Sequence, residues 1–271
     1  MSKTAAIQFT SSANVEANLL ETGKLVERAT RNQARLVVLP ENFAFMGHTS
    51  DLIRIREPHG HGPLQEFLSQ LAKKHGIWLV GGTIPLWAED PNKVRAASLV
   101  FDDQGRQVAR YDKMHLFDVV LKETGEHYRE SAGMEPGPRP VVVDTPFGRL
   151  GLAVCYDLRF PELFRSLSTL GIDIIAAPSA FTALTGKAHW EILVRARAVE
   201  NLAYVIAADQ SGFHDNGQET YGHSMIVDPW GRMLATRERD AGPVIAEVDL
   251  DYLQTVRRDI PCLEHRRIRC Y

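Results

Sequence analysis

The sequence predicts an α/β protein, and two observations carry the prediction. Strand-like runs rich in β-branched residues recur along the whole chain, and helical patterns fall between several of them. The first run is 5–9, followed by a helical pattern over 14–31 with Val15, Leu19, Val26 and Ala29 on one side. A run at 36–39 precedes a second helical pattern at 64–75, marked by Leu64, Leu68 and Leu71, and then a run at 77–82. The runs 97–101 and 107–111 flank Asp102-Asp-Gln-Gly-Arg106, which reads as a hairpin within one sheet. The second half repeats the alternation. A run at 150–154 leads to a helix at 161–170, a run at 172–177 to a helix at 187–201, and further runs follow at 203–208, 224–227 and 244–248. In the helix at 187–201, Trp190, Leu193 and Val194 are expected to face the core, and Glu191 and Arg195 have i,i+4 spacing. The longest irregular stretch, about 118–140, is rich in glycine and proline, and long loops in compact domains are usually functional.

Composition narrows the class. A chain of 271 residues suits one large α/β domain or two small ones. No linker-like stretch or internal repeat divides it, so a single domain over 1–271 is expected. Lys+Arg 31 against Asp+Glu 34, net charge -3, gives no reason to expect nucleic acid or an acidic membrane as partner. The basic cluster at Arg257, Arg258 and 265–269 reads as a solvated or subunit-contact tail. Three cysteines, Cys155, Cys262 and Cys270, show no Cys-x-x-Cys spacing, which fits a reducing compartment. The first residues lack the apolar core of a signal peptide and the arginines of a transit peptide, and no run approaches a bilayer span. A cytoplasmic location follows as the expectation.

Residues 151–161, Gly-Leu-Ala-Val-Cys-Tyr-Asp-Leu-Arg-Phe-Pro, carry the strongest functional signal. The apolar run stops at the thiol of Cys155, and Pro161-Glu162 opens the next helix in the way proline and an acid favour a first turn. A thiol at the carboxyl end of a strand lies where open α/β sheets bind ligands. A helix N-terminus and nearby cations would lower its pKa. Alone, Cys155 reads more readily as an inert buried cysteine. Two other segments are built alike. Leu36-Val-Val-Leu-Pro40 runs into Glu41, and Tyr111-Asp112 runs into Lys113. Singly, Glu41 reads as a solvated loop acid and Lys113 as a surface lysine paired with Asp112. Together the three put a base, a cation and a nucleophile at the ends of successive strands of one sheet.

These motifs, in this order, resemble those of the nitrilase (carbon–nitrogen hydrolase) superfamily. The match runs through Leu39-Pro40-Glu41-Asn42, Tyr111-Asp112-Lys113-Met114-His115-Leu116 and Cys155-Tyr156-Asp157-Leu158-Arg159-Phe160-Pro161-Glu162. It continues through Pro178-Ser-Ala-Phe181, His189-Trp190-Glu191, Arg195-Ala-Arg197-Ala-Val-Glu200-Asn201 and the block 221–231, and so covers nearly the whole chain. The blocks 221–231 and 260–267 are most similar to the Nit branch, and within it to amidases of deaminated glutathione. The ending Ile268-Arg269-Cys270-Tyr271 departs from the Pro-Asp-Leu-Tyr of that group.

The resemblance implies a four-layer α-β-β-α sandwich that pairs with a second copy as a homodimer or higher homo-oligomer, with the tail from about 250–271 packing on the partner. It implies a thioester mechanism with Cys155 as nucleophile, Glu41 as base and Lys113 facing the oxyanion, with the Tyr156 peptide N–H as a second donor. Glu130 matches an additional glutamate that orients Lys113 or assists proton transfer; a loop acid paired with Arg129 is the alternative. Tyr156, Arg159, Phe181 and Thr182 are expected to line the substrate pocket. Arg159 reads equally as a fork for a substrate carboxylate or as a structural partner of Asp157 or Glu162. No cofactor and no metal are implied, and His59-Gly-His61 has no third ligand nearby.

The expected activity is hydrolysis of an amide bond in a small carboxylate-bearing substrate, deaminated glutathione first. An ω-amidase acting on 2-oxoglutaramate or 2-oxosuccinamate is the alternative of the same chemistry. A Cys–His hydrolase using His115, His189 or His223 and a non-catalytic ligand-binding pseudo-hydrolase are alternatives of other classes. The papain-like Cys-Gly-Ser-Cys-Trp pattern is absent, and Ala153 and Asp157 stand where a nucleophile elbow needs glycines.

Overall fold

The computed structural model describes residues 2–123 and 125–268, and its first strand shows how the layers arise. In β1 (Ser2–Gln8), Ala5 and Ile7 enter one core while Ala6 enters another, as the two-residue period of a strand requires. The chain continues through α1 (Val15–Arg31), β2 (Leu36–Val38), α2 (Leu52–Ile55), α3 (Pro63–His75), β3 (Trp78–Val80), β4 (Ile84–Trp87), β5 (Val94–Phe101) and β6 (Gln107–Asp112). Then come β7 (Asp118–Leu121), β8 (Glu126–Arg129), β9 (Val142–Thr145), β10 (Gly148–Leu152), α4 (Pro161–Thr169), β11 (Ile174–Ser179) and α5 (Ala183–Asn201). The remainder is β12 (Tyr204–Asp209), β13 (Ser211–Phe213), β14 (Glu219–Tyr221), β15 (Ser224–Val227), β16 (Met233–Arg237), β17 (Gly242–Val248) and α6 (Leu250–Asp259).

Two sheets stack face to face between helices. One has the order β17-β1-β2-β3-β5-β4 with β6 beside β5, and the other β16-β15-β12-β11-β10-β9. Val37 and Leu39 pack with Leu25, Val26 and Leu68 of α1 and α3, while Leu36 and Val38 turn toward the second sheet. On its far side the second sheet meets Leu163, Phe164 and Leu167 of α4 and Trp190, Val194 and Ala198 of α5. This is the expected four-layer α-β-β-α sandwich. The central strands β1-β2-β3 and β10-β11-β12 run parallel and are buried on both faces, hence their nearly unbroken apolar sequences.

Local chemistry sets the helix ends. Asn14 caps α1, its side chain accepting the Ala17 N–H at 3.1 Å. The buried Glu57 carboxylate accepts the Leu64 and Gln65 N–H groups at the start of α3, at 2.5 and 3.2 Å. The expected elements are found to within a few residues; α2, β4, β9, β13, β14 and β16 were not expected, and three further differences stand out. Helix α5 starts at Ala183 rather than at residue 187, because Thr182 caps it. The stretch 118–140 contains the hairpin β7–β8, with Asp118 opposite Arg129. Helix α6 was not expected, and it packs on its own chain through the buried Leu253 and Val256. Arg257 likewise turns inward, to the Leu202 and Ile172 carbonyls and the Asp173 carboxylate. Of the expected tail, Arg269, Cys270 and Tyr271 lie outside the described residues.

Candidate active site

The three motif residues converge, but not from one sheet as their sequence patterns suggested. Glu41 follows β2 and Lys113 follows β6, both in the first sheet, while Cys155 follows β10 in the second. A strand end carries no mark of which sheet it joins, so the sequence pattern could not separate them. Strand β6 reaches the same end as β2 because two antiparallel steps, β3–β5 and β5–β6, restore its direction. The base and the nucleophile therefore meet across the sandwich, at the carboxyl ends of parallel strands.

Lys113 is 1% exposed, and its ammonium lies between two carboxylates. It donates to Glu41 Oε1 at 2.8 Å and to Glu130 Oε1 at 3.0 Å, with Glu130 Oε2 at 2.9 Å. Asp112, the surface partner it could have had, pairs with Arg110 instead. Glu130 also accepts the Phe117 N–H at 2.7 Å, which ties the base of the β7–β8 hairpin to the lysine rather than to Arg129. The Cys155 thiol faces the Glu41 carboxylate in one pocket, and Ala180, just past β11, lies beside the sulfur.

Electrostatics follow from burial. Burial pushes the Glu41 carboxyl above the usual carboxylate range; the Lys113 charge opposes this and the Glu130 charge adds to it. Burial works against the Lys113 ammonium, yet Glu130 and Glu41 together hold its pKa well above that of a free lysine. The Cys155 thiol is also pushed well up, first by burial and then by the Glu41 charge, against the pull of Lys113 and the Ala180 N–H. The lowered thiol pKa expected from a helix start is therefore not found. A thiol held up in this way needs the neighbouring base to react.

The turn carrying Cys155 is strained and strongly held. Cys155 has φ 46°, in the left-handed region that β-carbon-bearing residues rarely adopt. Asp157 fixes it. This fully buried carboxylate accepts the Val154 N–H at 2.8 Å, the Tyr111 hydroxyl at 2.7 Å, and the His115 N–H and Nδ1–H at 3.1 and 2.6 Å. One acid thus locks the lysine segment to the cysteine turn. His115 is further stacked on Phe160, with ring centroids 3.7 Å apart. Sequence reading named Asp157 only as a partner for Arg159; its place between Val154 and Leu158, flanked by the thiol motif, was the available signal.

A pocket opens above the thiol. Tyr156, Arg159, Phe181 and Thr182 all line it, as do Glu41, Lys113, Glu130 and Cys155. Arg159 pairs with neither Asp157 nor Glu162. Its guanidinium lies 5.4 Å from the Phe181 ring centroid and 6.0 Å from that of Tyr156, and Nη1 is 3.2 Å from His189 Nδ1. Two hairpins contribute the rim: β7–β8 through His127, Tyr128 and Arg129, and β13–β14 with its turn through Asn216, Gln218 and Thr220. Neither hairpin was recognised in the sequence, because three- and four-residue strands leave too little alternation to read. His115, His189 and His223 are not among the pocket residues, and His59 lies elsewhere, 2.7 Å from Gln107.

Comparison with known proteins agrees with this geometry. The deaminated glutathione amidase of Yersinia enterocolitica is 40% identical over 97% of this chain and 92% of its own length. The crystal structure of the C. elegans NitFhit protein superposes with a TM-score of 0.90 at 39% identity, over 98% of this chain and 65% of that longer one. An amidase from Nesterenkonia sp. AN1, solved as a mutant with acrylamide added at its active-site cysteine, gives a TM-score of 0.78 at 26% identity over 97% of this chain and 99% of that one. Residues 3–258 match the family described as carbon-nitrogen hydrolase, and the chain belongs to that family.

Proposed function

We propose that this carbon–nitrogen hydrolase is a thiol amidase whose substrate is deaminated glutathione, cleaved at the amide between its 2-oxoglutarate unit and Cys-Gly. The observation that carries the mechanism is the Glu41 carboxylate, which faces the Cys155 thiol in the pocket and accepts from the Lys113 ammonium at 2.8 Å. Glu41 takes the thiol proton as sulfur attacks the amide carbon. The oxyanion forms beside Lys113 and the Tyr156 N–H, where a single donor is worth about 10²–10³ in rate. Collapse breaks the C–N bond, and protonated Glu41 passes its proton to the departing amine. Glu41 then draws a proton from water, hydroxide attacks the thioester, and the C–S bond breaks as the thiol regains its proton. Positioned acid–base groups of this kind contribute on the order of 10²–10⁴.

The substrate reading rests on two supports. The Yersinia relative is named for deaminated glutathione. Arg159, free of any carboxylate partner among the described residues and fixed by two rings at the pocket wall, offers a fork to the carboxylate beside the 2-oxo group. Intact mass spectrometry during turnover should reveal an acyl adduct on the wild type and none on Cys155→Ala, which should be inactive yet folded. Side-by-side kcat/KM values for deaminated glutathione and 2-oxoglutaramate test the substrate. A preference for 2-oxoglutaramate would move the assignment to an ω-amidase.

The same reading includes a homodimer or higher oligomer in the cytoplasm, with no nucleic acid or membrane partner and no cofactor. Exposed Leu170, Ile192 and Val199 on and beside α4 and α5 support those helices as the contact layer. No helix among the described residues is long and apolar enough to cross a membrane.

A further inference from the structure

Two adjacent residues outside the reaction chemistry, Asp209 and Gln210, sit where the catalytic arms of the two sheets meet. Asp209 ends β12, in the second sheet, and Gln210, the next residue, bridges to Phe9, just past β1 in the first. The Gln210 amide nitrogen donates to the Glu41 carbonyl at 2.9 Å and to the Ser11 hydroxyl at 2.6 Å, while its oxygen accepts the Ser11 N–H at 3.0 Å. Asp209 Oδ1 accepts the Phe181 N–H at 2.9 Å, and the preceding residue, Ala180, lines the pocket beside Cys155. One residue thus holds the backbone of the base and the other the backbone beside the nucleophile.

Asp209 is fully buried, and its second oxygen, Oδ2, has no hydrogen-bond partner. The titratable groups facing it are Glu41, beyond β2, and Cys155, beyond β10. From the other packed segments come uncharged groups: the Phe181, Gln210 and Gly222 N–H groups and the Ser224 hydroxyl bonded to its own backbone N–H. No cation is among these neighbours. A carboxylate buried beside another acid without a countercharge gives up its charge rather than bear the desolvation cost.

We propose that Asp209 and Gln210 are positioning residues that set the Glu41-to-Cys155 geometry across the sandwich, and that Asp209 does so as an uncharged carboxylic acid. Burial pushes its carboxyl well above the carboxylate range, with the Glu41 charge adding, and the N–H groups around it only partly oppose this. As a neutral acid it accepts one N–H and adds no negative charge where Glu41 must take a proton. An asparagine would do the same.

The proposal rests on Glu41 activating Cys155, but not on the identity of the substrate, so the test reads the thiol directly. The rate of Cys155 carbamidomethylation by iodoacetamide is followed by peptide mass spectrometry as a function of pH. Wild type, Glu41→Gln, Asp209→Asn, Asp209→Leu and Gln210→Leu are compared, each with its thermal midpoint. Glu41→Gln should remove the Glu41-dependent acid limb from the alkylation profile; if the profile is unchanged, the base reading fails and this proposal with it. Asp209→Asn should keep the wild-type rate and profile. Asp209→Leu and Gln210→Leu should slow the reaction roughly 10- to 100-fold, the scale of an ångström-level misplacement. An Asp209→Asn profile displaced to lower pH would mean that a negative charge had been removed beside Glu41 and Cys155, and would overturn the uncharged state. A Gln210→Leu protein with a lowered midpoint but an unmoved profile would reduce the pair to mere packing. Should Asp209→Leu fail to fold, the asparagine and Gln210 variants still decide both points.

Discussion

At Lys113 one ammonium serves two carboxylates in a space that water scarcely reaches. Its ammonium donates to Glu41 and to Glu130, so its head group is positioned before any substrate arrives. Lys113→Met should therefore do two kinds of damage. Turnover should fall by about 10²–10³ through the lost oxyanion partner. Stability should fall by about 3–5 kcal/mol, since the buried Glu41 loses its countercharge; chemical denaturation measures it, and a variant as stable as wild type would contradict the pairing. Glu41→Gln should suppress turnover by orders of magnitude, while single changes of His115, His189 or His223 should leave the acid–base step working. The pH profile carries the same logic with a definite sign. Glu41 acts only when ionised, and its pKa is raised from 4.5. As pH falls through that raised value the base is protonated and kcat/KM is lost, so the acid limb should lie above the ordinary carboxylate range. A limb at or below 4.5 would contradict the burial argument. Glu41, Lys113 and Cys155 were legible in the sequence because each follows a strand within a motif. The roles of Asp157, Asp209 and Gln210 were not, because their partners lie far along the chain and nothing local to them indicates which backbone groups need an acceptor.

At the level of elements, the loop that presents Glu41 depends on a glycine. Gly82 has φ 55°, and a β-carbon there would overlap the Pro40 carbonyl oxygen. Gly82→Ala must either push that loop away or strain the backbone. It should lower activity more than its modest size suggests, with a drop in thermal midpoint read alongside kcat. Thr182 combines a pocket position with a helix cap. Its side chain accepts the Thr185 N–H, and Thr182→Ala should cost about 1 kcal/mol. Thr182→Ser should restore the cap, which separates the two roles in a kcat/KM comparison. Long elements announced themselves in the sequence. α1 and α3 carry apolar residues at helical spacing and have clear ends, and β2 is a β-branched run stopped by Pro40. α6 escaped notice because it fully buries only Leu253 and Val256 over its ten residues. The hairpins β7–β8 and β13–β14 escaped because their short strands join neither main sheet, so neither face carries a continuous apolar row.

For the whole molecule, the α/β class was legible from alternation, the layered sandwich came only from the family resemblance, and the assignment of strands to two sheets was not legible. Alternation says that a strand has two faces; it does not say which strands are neighbours. Solution mass by light scattering should exceed that of one chain, and Ile192→Glu on the exposed face of α5 should lower it without unfolding the protein. A monomer at micromolar concentration would remove the oligomer from the proposed reading. The two-sheet origin of the site has one further consequence. Glu41 and Cys155 share no strand, so the approach of carboxylate to thiol acts as a vernier between the two halves of the sandwich. Slippage too small to alter ellipticity would already separate acid from sulfur. On gradual warming, turnover should vanish at a lower temperature than secondary structure and return on cooling, which makes the enzyme's own rate the finest gauge of how firmly its layers are seated.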